Sequence, residues 1–185
     1  MLKKQIFTEL FYIQEKLNKL SLIDTQLIKN HLLSNCIISN KYKDNQYWYM
    51  SQYFKVEYHQ HIKWFQEYLT DHYLSEHKRT LVFNSVDSIR CLLQKNKENI
   101  ILHNNLKEWD LPISPDIDCI FTISTGKKPS YIVFEYDDGR HKHRRYKLPL
   151  LKDHFILFPS HLNRYITSNE NEETLINLSL HFQLE

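Results

Sequence analysis

Residues 153–160, with the sequence DHFILFPS, decide how the second half of this chain folds. The segment is a short run of β-forming apolar residues that ends at Pro159 and Ser160, which is typical of a buried strand. Two more strands are predicted close behind it, at residues 164–167 and 175–182. This end of the chain is therefore predicted to be built from strands.

The same pattern extends upstream to about residue 79. Strands are predicted at residues 79–83, 99–103, 118–124, 131–136 and 141–148, and the pattern at residues 86–93 fits more than one structure. The segment Asp137-Asp138-Gly139-Arg140 predicts a hairpin turn, because Asp-Gly supplies the positive φ that a tight turn needs. Short strands at this spacing predict a sandwich, a jelly roll or a barrel.

The first part of the chain has helical periodicity instead. A first helix is predicted from an apolar stripe at every third or fourth position, formed by Ile6, Leu10, Ile13, Leu17 and Leu20. A second helix is predicted to begin at a cap, Ser21 or Asp24, and a third to run over residues 57–75, after a short strand within residues 47–56. The fold class is therefore α+β: a mainly helical region, residues 1–78, packs on a jelly-roll core, residues 79–185, as one integrated domain.

Composition excludes several classes of function. The chain has only two glycines, Gly126 and Gly139, so it lacks the glycine-rich loops with which Walker A and dinucleotide-binding motifs approach phosphates. Its three cysteines are widely spaced, which indicates free thiols rather than a disulfide framework. With a net charge of +2 and no run of about 20 apolar residues, we expect a cytoplasmic protein without membrane contact, and nucleic acid is not a favoured partner.

Several short motifs resemble the Fe(II)/2-oxoglutarate oxygenases. DHFILFPS resembles the family strand that ends in Phe-Pro-Ser, and residues 176–182, INLSLHF, resemble the last strand of the family core. Residues 100–105, IILHNN, fall where the family places its first metal-binding pair, at the end of a strand. The resemblance covers about residues 80–185 and is strongest to a group of oxygenases common in bacteria and phages. It implies a double-stranded β-helix, or jelly roll, with Fe(II) and 2-oxoglutarate as cofactors.

The resemblance also implies a set of site residues. His103 matches the first ligand histidine, and Asn105 stands where the family has a carboxylate. Arg164 falls at the position of the second ligand histidine, and an arginine cannot coordinate a metal. Leu175 falls near the arginine that pairs with 2-oxoglutarate, and leucine cannot bind a carboxylate. The catalytic set that the family requires is therefore incomplete.

Two explanations of the missing ligands stay open. In the first, a bulge brings His161 inward as the second imidazole, and Asp110, Asp116 or Asp118 supplies the carboxylate. In the second, which we favour, the iron site is degenerate and the scaffold serves binding. Arg164 would then point into the barrel, replace the charge of the metal and bind an anionic ligand; the alternative for Arg164 is a surface position.

Other groups of residues carry weaker predictions. The basic hairpin at residues 139–147 is predicted to be a solvated strand pair, with a site for a polyanion as the alternative. His59 and His61 are predicted to lie on different faces of the third helix, which excludes a chelate there. A Ser-His-Asp triad built on Ser160 is discounted, since no nucleophile elbow surrounds this serine.

The sequence therefore leaves two classes of function. One is an oxygenase-like protein, either a hydroxylase of unknown substrate or a non-catalytic relative with a degenerate site. The other is a jelly-roll binding module for an anionic ligand or a protein partner. The predicted metal-site residues are His103, Asn105 and His161, and Arg164 is predicted to contact the co-substrate or an anion in its place.

Overall fold

The computed structural model of the chain describes residues 2–5, 11–18, 22–40, 53–55, 59–83, 89–94, 100–102, 115–137 and 143–185. These residues form two helices and a series of short strands. In chain order the elements are β1 Leu2–Gln5, β2 Phe11–Lys16, α1 Thr25–Asn40, β3 Tyr53–Lys55, α2 Gln60–His77, β4 Leu81–Val82, β5 Ile89–Gln94, β6 Ile100–Leu102, β7 Ile117–Ser124, β8 Tyr131–Asp137, β9 His143–Pro149, β10 His154–Pro159, β11 Asn163–Ile166 and β12 Leu175–Leu184.

The strands pair into two antiparallel sheets. The larger sheet has the order β1, β2, β10, β7, β12, β5, β3, and β4 lies beside β12. The smaller sheet has the order β6, β11, β8, β9. From β5 onwards the chain passes repeatedly between the sheets, so that β5, β7, β10 and β12 lie in one and β6, β8, β9 and β11 in the other.

The space between the two sheets is filled mainly by apolar side chains. Ile120 and Ile156 of the larger sheet share one buried cluster with Ile132 of the smaller sheet. The rings of Phe134 on β8 and Phe158 on β10 lie edge to face, 4.9 Å between centroids, and so join the two sheets directly. Any polar group that points into this space therefore needs a partner there.

Side chains of the two helices share one buried cluster with side chains from the opposite face of the larger sheet. Phe65 of α2 stacks on Phe121 of β7 with 4.3 Å between ring centroids, and Ile28 and Leu32 of α1 belong to the same buried cluster. Because neighbouring residues of a strand point to opposite faces, β7 is buried on both. This explains why apolar residues of β7 occur on both of its faces, and why its polar residues Asp118 and Thr122 are buried.

The starts of both helices are capped by side chains. Asp24 Oδ1 accepts hydrogen bonds from the backbone N–H groups of Gln26 (2.8 Å) and Leu27 (3.1 Å), which confirms the predicted cap of α1. At α2, His59 has an extended backbone and its Nδ1 accepts from the backbone N–H of His61 at 3.3 Å. The prediction that His59 lies within the helix is therefore wrong, because it is the cap.

The prediction of a helix over residues 6–20 is also wrong in the parts that the structure describes. Residues 11–16 form β2, which pairs with β10 and places Ile13 opposite Leu157. Tyr12 faces the smaller sheet, where its hydroxyl lies 2.7 Å from that of Tyr146, while Ile13 faces the helices. A strand buried on both faces needs no polar alternation, so its sequence can carry a helix-like apolar spacing.

The predictions for the later strands agree with the structure. From residue 99 onwards each predicted strand matches one of β6 to β12 within about two residues, and residues 86–93 contain most of β5. β8 and β9 pair with Asp137 opposite His143, as the hairpin prediction requires, and the turn at residues 138–142 lies outside the described residues. Neither helix in the described ranges is long and apolar enough to span a bilayer.

Candidate functional site

Polar side chains enter the apolar space between the sheets from two neighbouring strands. β7 contributes Asp118 and Thr122, and β12 contributes Asn177, Ser179 and His181, all of them buried. The residues alternate with apolar ones along each strand, so they share the face that points towards the smaller sheet. The register places Asn177 opposite Thr122 and His181 opposite Asp118, which gives two polar levels in the interior.

Arg164 reaches this space from β11 of the smaller sheet and is buried. Its Nη2 donates a hydrogen bond to Asp118 Oδ2, so a salt bridge links the two sheets. Its Nη1 donates to the backbone carbonyls of Ser160 (3.1 Å) and Leu162 (3.2 Å). The guanidinium also lies over the ring of Phe158, 4.9 Å from its centroid. Most of the donors of this arginine are therefore engaged within the protein.

His181 completes the group at the second carboxylate oxygen. Its Nδ1 lies 2.6 Å from Asp118 Oδ1, and because a carboxylate only accepts, this nitrogen is the donor. Burial by itself would raise the pKa of Asp118, but Arg164 and His181 outweigh it and lower this pKa below its ordinary value. Arg164, Asp118 and His181 thus form a buried ionic group, which we call the Arg164 cluster.

The second polar level lies at Thr122 and Asn177. The Thr122 hydroxyl donates to Asn177 Oδ1 at 2.8 Å, and both residues are almost fully buried. Asn177 Nδ2 makes no hydrogen bond within the described part of the chain. Leu175, at the position where the resemblance implies an anion-binding arginine, is buried in the apolar cluster between the sheets.

The structure describes some of the sequence-predicted site residues and not others. Arg164 points into the space between the sheets, so the alternative of a surface arginine is wrong. β6 pairs with β11 and places Leu102 opposite Arg164, so the strand that leads to residue 103 lies beside this arginine. His103 and Asn105, predicted as metal ligands, lie outside the described residues, and so does Asp110.

The remaining candidates lie away from the Arg164 cluster or have other roles. His161 is exposed in the turn between β10 and β11, and Asp116 is exposed and accepts the backbone N–H of Leu184 at 3.0 Å. The Ser160 hydroxyl donates to the Pro115 carbonyl, which gives it a structural role. Of the three aspartates considered, only Asp118 is seen in the interior.

The described residues do not fit an iron centre. Iron in the 2-oxoglutarate oxygenases needs two imidazoles and a carboxylate on one face. An arginine offers no lone pair for coordination. Asp118 and His181 already bond to each other. In the ranges that the structure describes, no three His, Cys, Asp or Glu side chains are grouped so that they could hold a metal ion.

His181 and Asn177 are site residues that the sequence reasoning missed. The signal was present in the segment INLSLHF, where Asn177, Ser179 and His181 alternate with apolar residues. In a strand whose other face is buried, such alternation places the polar side chains together on the opposite face. Their burial there could be inferred only once the second sheet was known to cover them.

Comparisons with known proteins agree on the fold. The sequence matches no protein-family model, and no curated protein is significantly similar to it. Among solved structures, AviO1 from Streptomyces viridochromogenes Tue57 superposes with a TM-score of 0.63 at 8% identity, over 93% of this chain and 89% of that one. SnoK, a non-heme α-ketoglutarate-dependent carbocyclase of nogalamycin biosynthesis, gives 0.62 at 8%, over 92% and 78%.

A prolyl-4-hydroxylase of Pseudomonas putida is also similar, with a TM-score of 0.54 at 7% identity over 93% of this chain and 91% of that one. The description of SnoK as α-ketoglutarate-dependent, and that of the Pseudomonas protein as a hydroxylase, agree with the resemblance to the 2-oxoglutarate oxygenases read from the motifs. At such low identity the likeness concerns the fold alone. The chain therefore has an oxygenase-like fold that extends over nearly its whole length.

Proposed function

We propose that this chain is a non-catalytic relative of the 2-oxoglutarate oxygenases that serves as a binding module. The observation that carries the proposal is the salt bridge between Arg164 and Asp118. Its arginine stands on β11, where the resemblance implies the second iron-binding histidine. A guanidinium at this position has no lone pair with which to ligate iron.

The scaffold that we propose is a jelly roll, or double-stranded β-helix. Eight consecutive strands, β5 to β12, divide four and four between two facing antiparallel sheets. This is the strand count of a jelly roll, in which the two sheets enclose one core. We further propose that α1 and α2 form a layer on the outer face of this jelly roll, supported by the contact of Phe65 with Phe121.

The paired charges of the Arg164 cluster support the proposal that this chain does not bind iron. Burying an ion costs several kcal/mol unless it is paired and hydrogen-bonded, and each charge here has a partner in place. Both oxygens of the Asp118 carboxylate already accept a hydrogen bond, one from Arg164 and one from His181. The charges of the cluster are therefore balanced without a metal, which supports a non-catalytic scaffold, although Arg164 Nε and Asn177 Nδ2 have no hydrogen-bond partner in the described part of the chain.

A test of catalysis measures iron retention and turnover together. The purified chain is incubated with Fe(II) under anaerobic conditions, desalted and analysed for metal, and succinate formation from 2-oxoglutarate is followed in a parallel sample. We expect no stoichiometric iron and no succinate above that of free Fe(II). Succinate formation that is abolished by His103→Ala but kept in His154→Ala, a control at a histidine outside the predicted metal site, would overturn the proposal.

The second candidate function is that of an active hydroxylase, and one observation favours it. The register of β6 with β11 brings the strand before His103 next to Arg164, so the two segments predicted to carry ligands are neighbours. In this case Fe(II) and 2-oxoglutarate are the cofactors, and Asn105 or another residue near His103 replaces the missing carboxylate. The succinate assay distinguishes the two candidates.

For the binding module we propose an anionic ligand or an acidic segment of a protein partner, in the cytoplasm. Because Arg164 is neutralised by Asp118, the more accessible cations are those of the exposed strand β9. Arg145 there pairs with Glu135 at 2.8 Å, and Lys147 lies 3.9 Å from the centroid of the Tyr131 ring. These exposed charges support salt-dependent contact with an anion.

This part of the proposal is tested with a fluorescent poly-glutamate peptide. We expect binding that weakens as salt is raised and that is lost in the double variant Arg145→Gln/Lys147→Gln. Lys63→Gln/Lys152→Gln is the matched control, since it removes the same number of charges from exposed lysines outside β9. Equal loss of binding in the control would show that net charge alone is responsible, and the site on β9 would be abandoned.

A further inference from the structure

Three histidines from two helices meet at one edge of the helical layer, far in sequence from the Arg164 cluster. His31 lies on α1, His59 is the cap of α2 and His61 is in the first turn of α2. The ring centroids of His31 and His59 are 4.6 Å apart, and those of His59 and His61 are 5.4 Å apart. We call these three residues the histidine cluster.

Two of these rings accept hydrogen bonds from the backbone at the helix starts. His59 Nδ1 accepts from the backbone N–H of His61 at 3.3 Å, which caps α2. His61 Nδ1 accepts from the backbone N–H of Asp24 at 3.2 Å, and Asp24 is the cap of α1. The start of each helix is thus tied to an imidazole nitrogen that carries no hydrogen.

Protonation would reverse the role of both nitrogens. A neutral imidazole accepts at one nitrogen, whereas the imidazolium ion donates at both. On protonation the Nδ1–H groups of His59 and His61 would face backbone N–H donors, and the stacked rings would carry like charges about 5 Å apart. We infer that the histidine cluster is a pH-sensitive latch, which holds the start of α1 against α2 near neutral pH and releases it on mild acidification.

The charged groups around the cluster are few and of both signs. From the start of α1, Asp24 brings a carboxylate, which keeps its charge while its Oδ1 accepts two backbone N–H groups of the helix and so partly offsets the repulsion between protonated rings. Along α2, Lys63 and Glu67 pair with each other at 3.9 Å. From β7, Ser124 meets Lys29 of α1 and is uncharged.

The third element against α1, β3, has Lys55 as the one charged residue in its sequence, and this residue is a cation. Burial lowers the pKa of His59 below its ordinary value, and the neighbouring His31 and His61 lower it further. A lowered pKa of a base means that the folded state binds its proton less well than the unfolded chain does. The stability that His59 contributes is therefore present above its unfolded pKa of about 6.5 and is lost as the pH falls through its lower folded pKa.

Amide hydrogen exchange of the full chain tests the latch. Exchange of the Asp24 amide and of its neighbours Gln26 and Leu27 is measured at pH 7.5 and pH 5.5 and corrected for the intrinsic effect of pH. We expect protection of the Asp24 amide to fall about tenfold at pH 5.5, because its hydrogen bond to His61 Nδ1 is lost, and protection of Gln26 and Leu27 to fall with it as the start of α1 is released. The double variant His59→Asn/His61→Asn keeps an acceptor at each Nδ1 position but cannot titrate, so its protection should not change.

His154→Asn is the matched control, because His154 Nδ1 donates to the Lys152 carbonyl and protonation leaves that bond intact. It should respond to acid as the wild type does. The inference is overturned if wild-type protection is independent of pH, or if the double variant loses protection as the wild type does. Nitrogen NMR of the wild type gives a test that needs no variant: a proton on Nδ1 of His59 or His61 at pH 7.5 would also overturn it.

Discussion

Removing one charge from the Arg164 cluster should destabilise the protein far more than removing a charge at the surface. The side chains of Arg164 and Asp118 are 8% and 2% exposed, so removal of Asp118 leaves a buried guanidinium without its counter-ion, and removal of Arg164 leaves the buried carboxylate with His181 alone. Breaking such a pair costs about 3–5 kcal/mol. For a chain of this size that corresponds to a fall in Tm of roughly 6–20 °C.

The assay is a double-mutant cycle followed by chemical denaturation. Arg164→Met and Asp118→Asn are each expected to lose about 3–5 kcal/mol of unfolding free energy, while the double variant should lose much less than their sum because no unpaired charge remains. The asparagine introduced by Asp118→Asn would still offer an oxygen that accepts the hydrogen bond from His181. Arg145→Met is the matched control: Arg145 is also paired with a carboxylate but is 71% exposed, so the expected loss is about 0–1 kcal/mol.

The reasoning is refuted if the two single variants lose no more than the surface control, or if their losses simply add. Additive losses would mean that Arg164 and Asp118 are not energetically coupled. In that case the claim that the buried charges neutralise each other would be wrong. This claim is the main argument for a non-catalytic scaffold. Circular dichroism of each variant at pH 7 confirms that folded protein is being compared.

Three further predictions concern acid stability and packing. The stability contributed by the Asp118 carboxylate is present above its unfolded pKa of about 3.9 and is lost as the pH falls through its lower folded pKa. The difference in unfolding free energy between wild type and Asp118→Asn, measured by chemical denaturation, should therefore be smaller at pH 3 than at pH 7. Gly126→Ala should cost about 1–3 kcal/mol, measured by urea unfolding, because an added Cβ would overlap the Asn171 side chain that ties down this loop; a neutral effect would show that Asn171 can move aside. Phe65→Ala should cost about 3–5 kcal/mol and lower the Tm accordingly, whereas Leu22→Ala, at a position 80% exposed, should have almost no effect; similar Tm values for both would contradict the packing of α2 on the sheet.

The strands of the second half were predictable because local pattern and tertiary structure agree there. Each of β7, β8, β10 and β12 is a compact β-forming run bounded by turn residues, and the Asp-Gly pair marks the hairpin between β8 and β9. Burial on both faces only strengthened these signals. The sheet-rich second half followed from the spacing of these strands and needed no knowledge of contacts, whereas the jelly roll and its helical layer remain proposals.

The first twenty residues could not be predicted in the same way. Their apolar spacing fits a helix, but β2 is stabilised by pairing with β10, which lies near the other end of the chain and places Leu157 opposite Ile13. Such a distant partner leaves no trace in the local sequence. The histidine cluster could not be predicted from local sequence either, because His59 lies outside the helix as its cap and His31 belongs to the other helix.

The candidate site was predicted in part. Counting along the motif pointed to Arg164, and the structure places it between the sheets, although its role in binding a co-substrate or anion stays a prediction. Asp118 was one of three aspartates that the explanation we did not favour offered as the missing carboxylate ligand, and in the structure it pairs with Arg164. A sequence gives the types of charged residue but not which of them neutralise each other.

The pairing of β2 with β10 matters for anyone who shortens this chain for expression. A fragment that begins after residue 18 would lack β1 and β2 and would leave β10, with its apolar residues Phe155 to Phe158, as an open sheet edge. Unpaired, flat and apolar edges of this kind recruit further copies into aggregates. β1 and β2 thus cover this edge of the sheet, and we expect a fragment without them to aggregate more than the full chain.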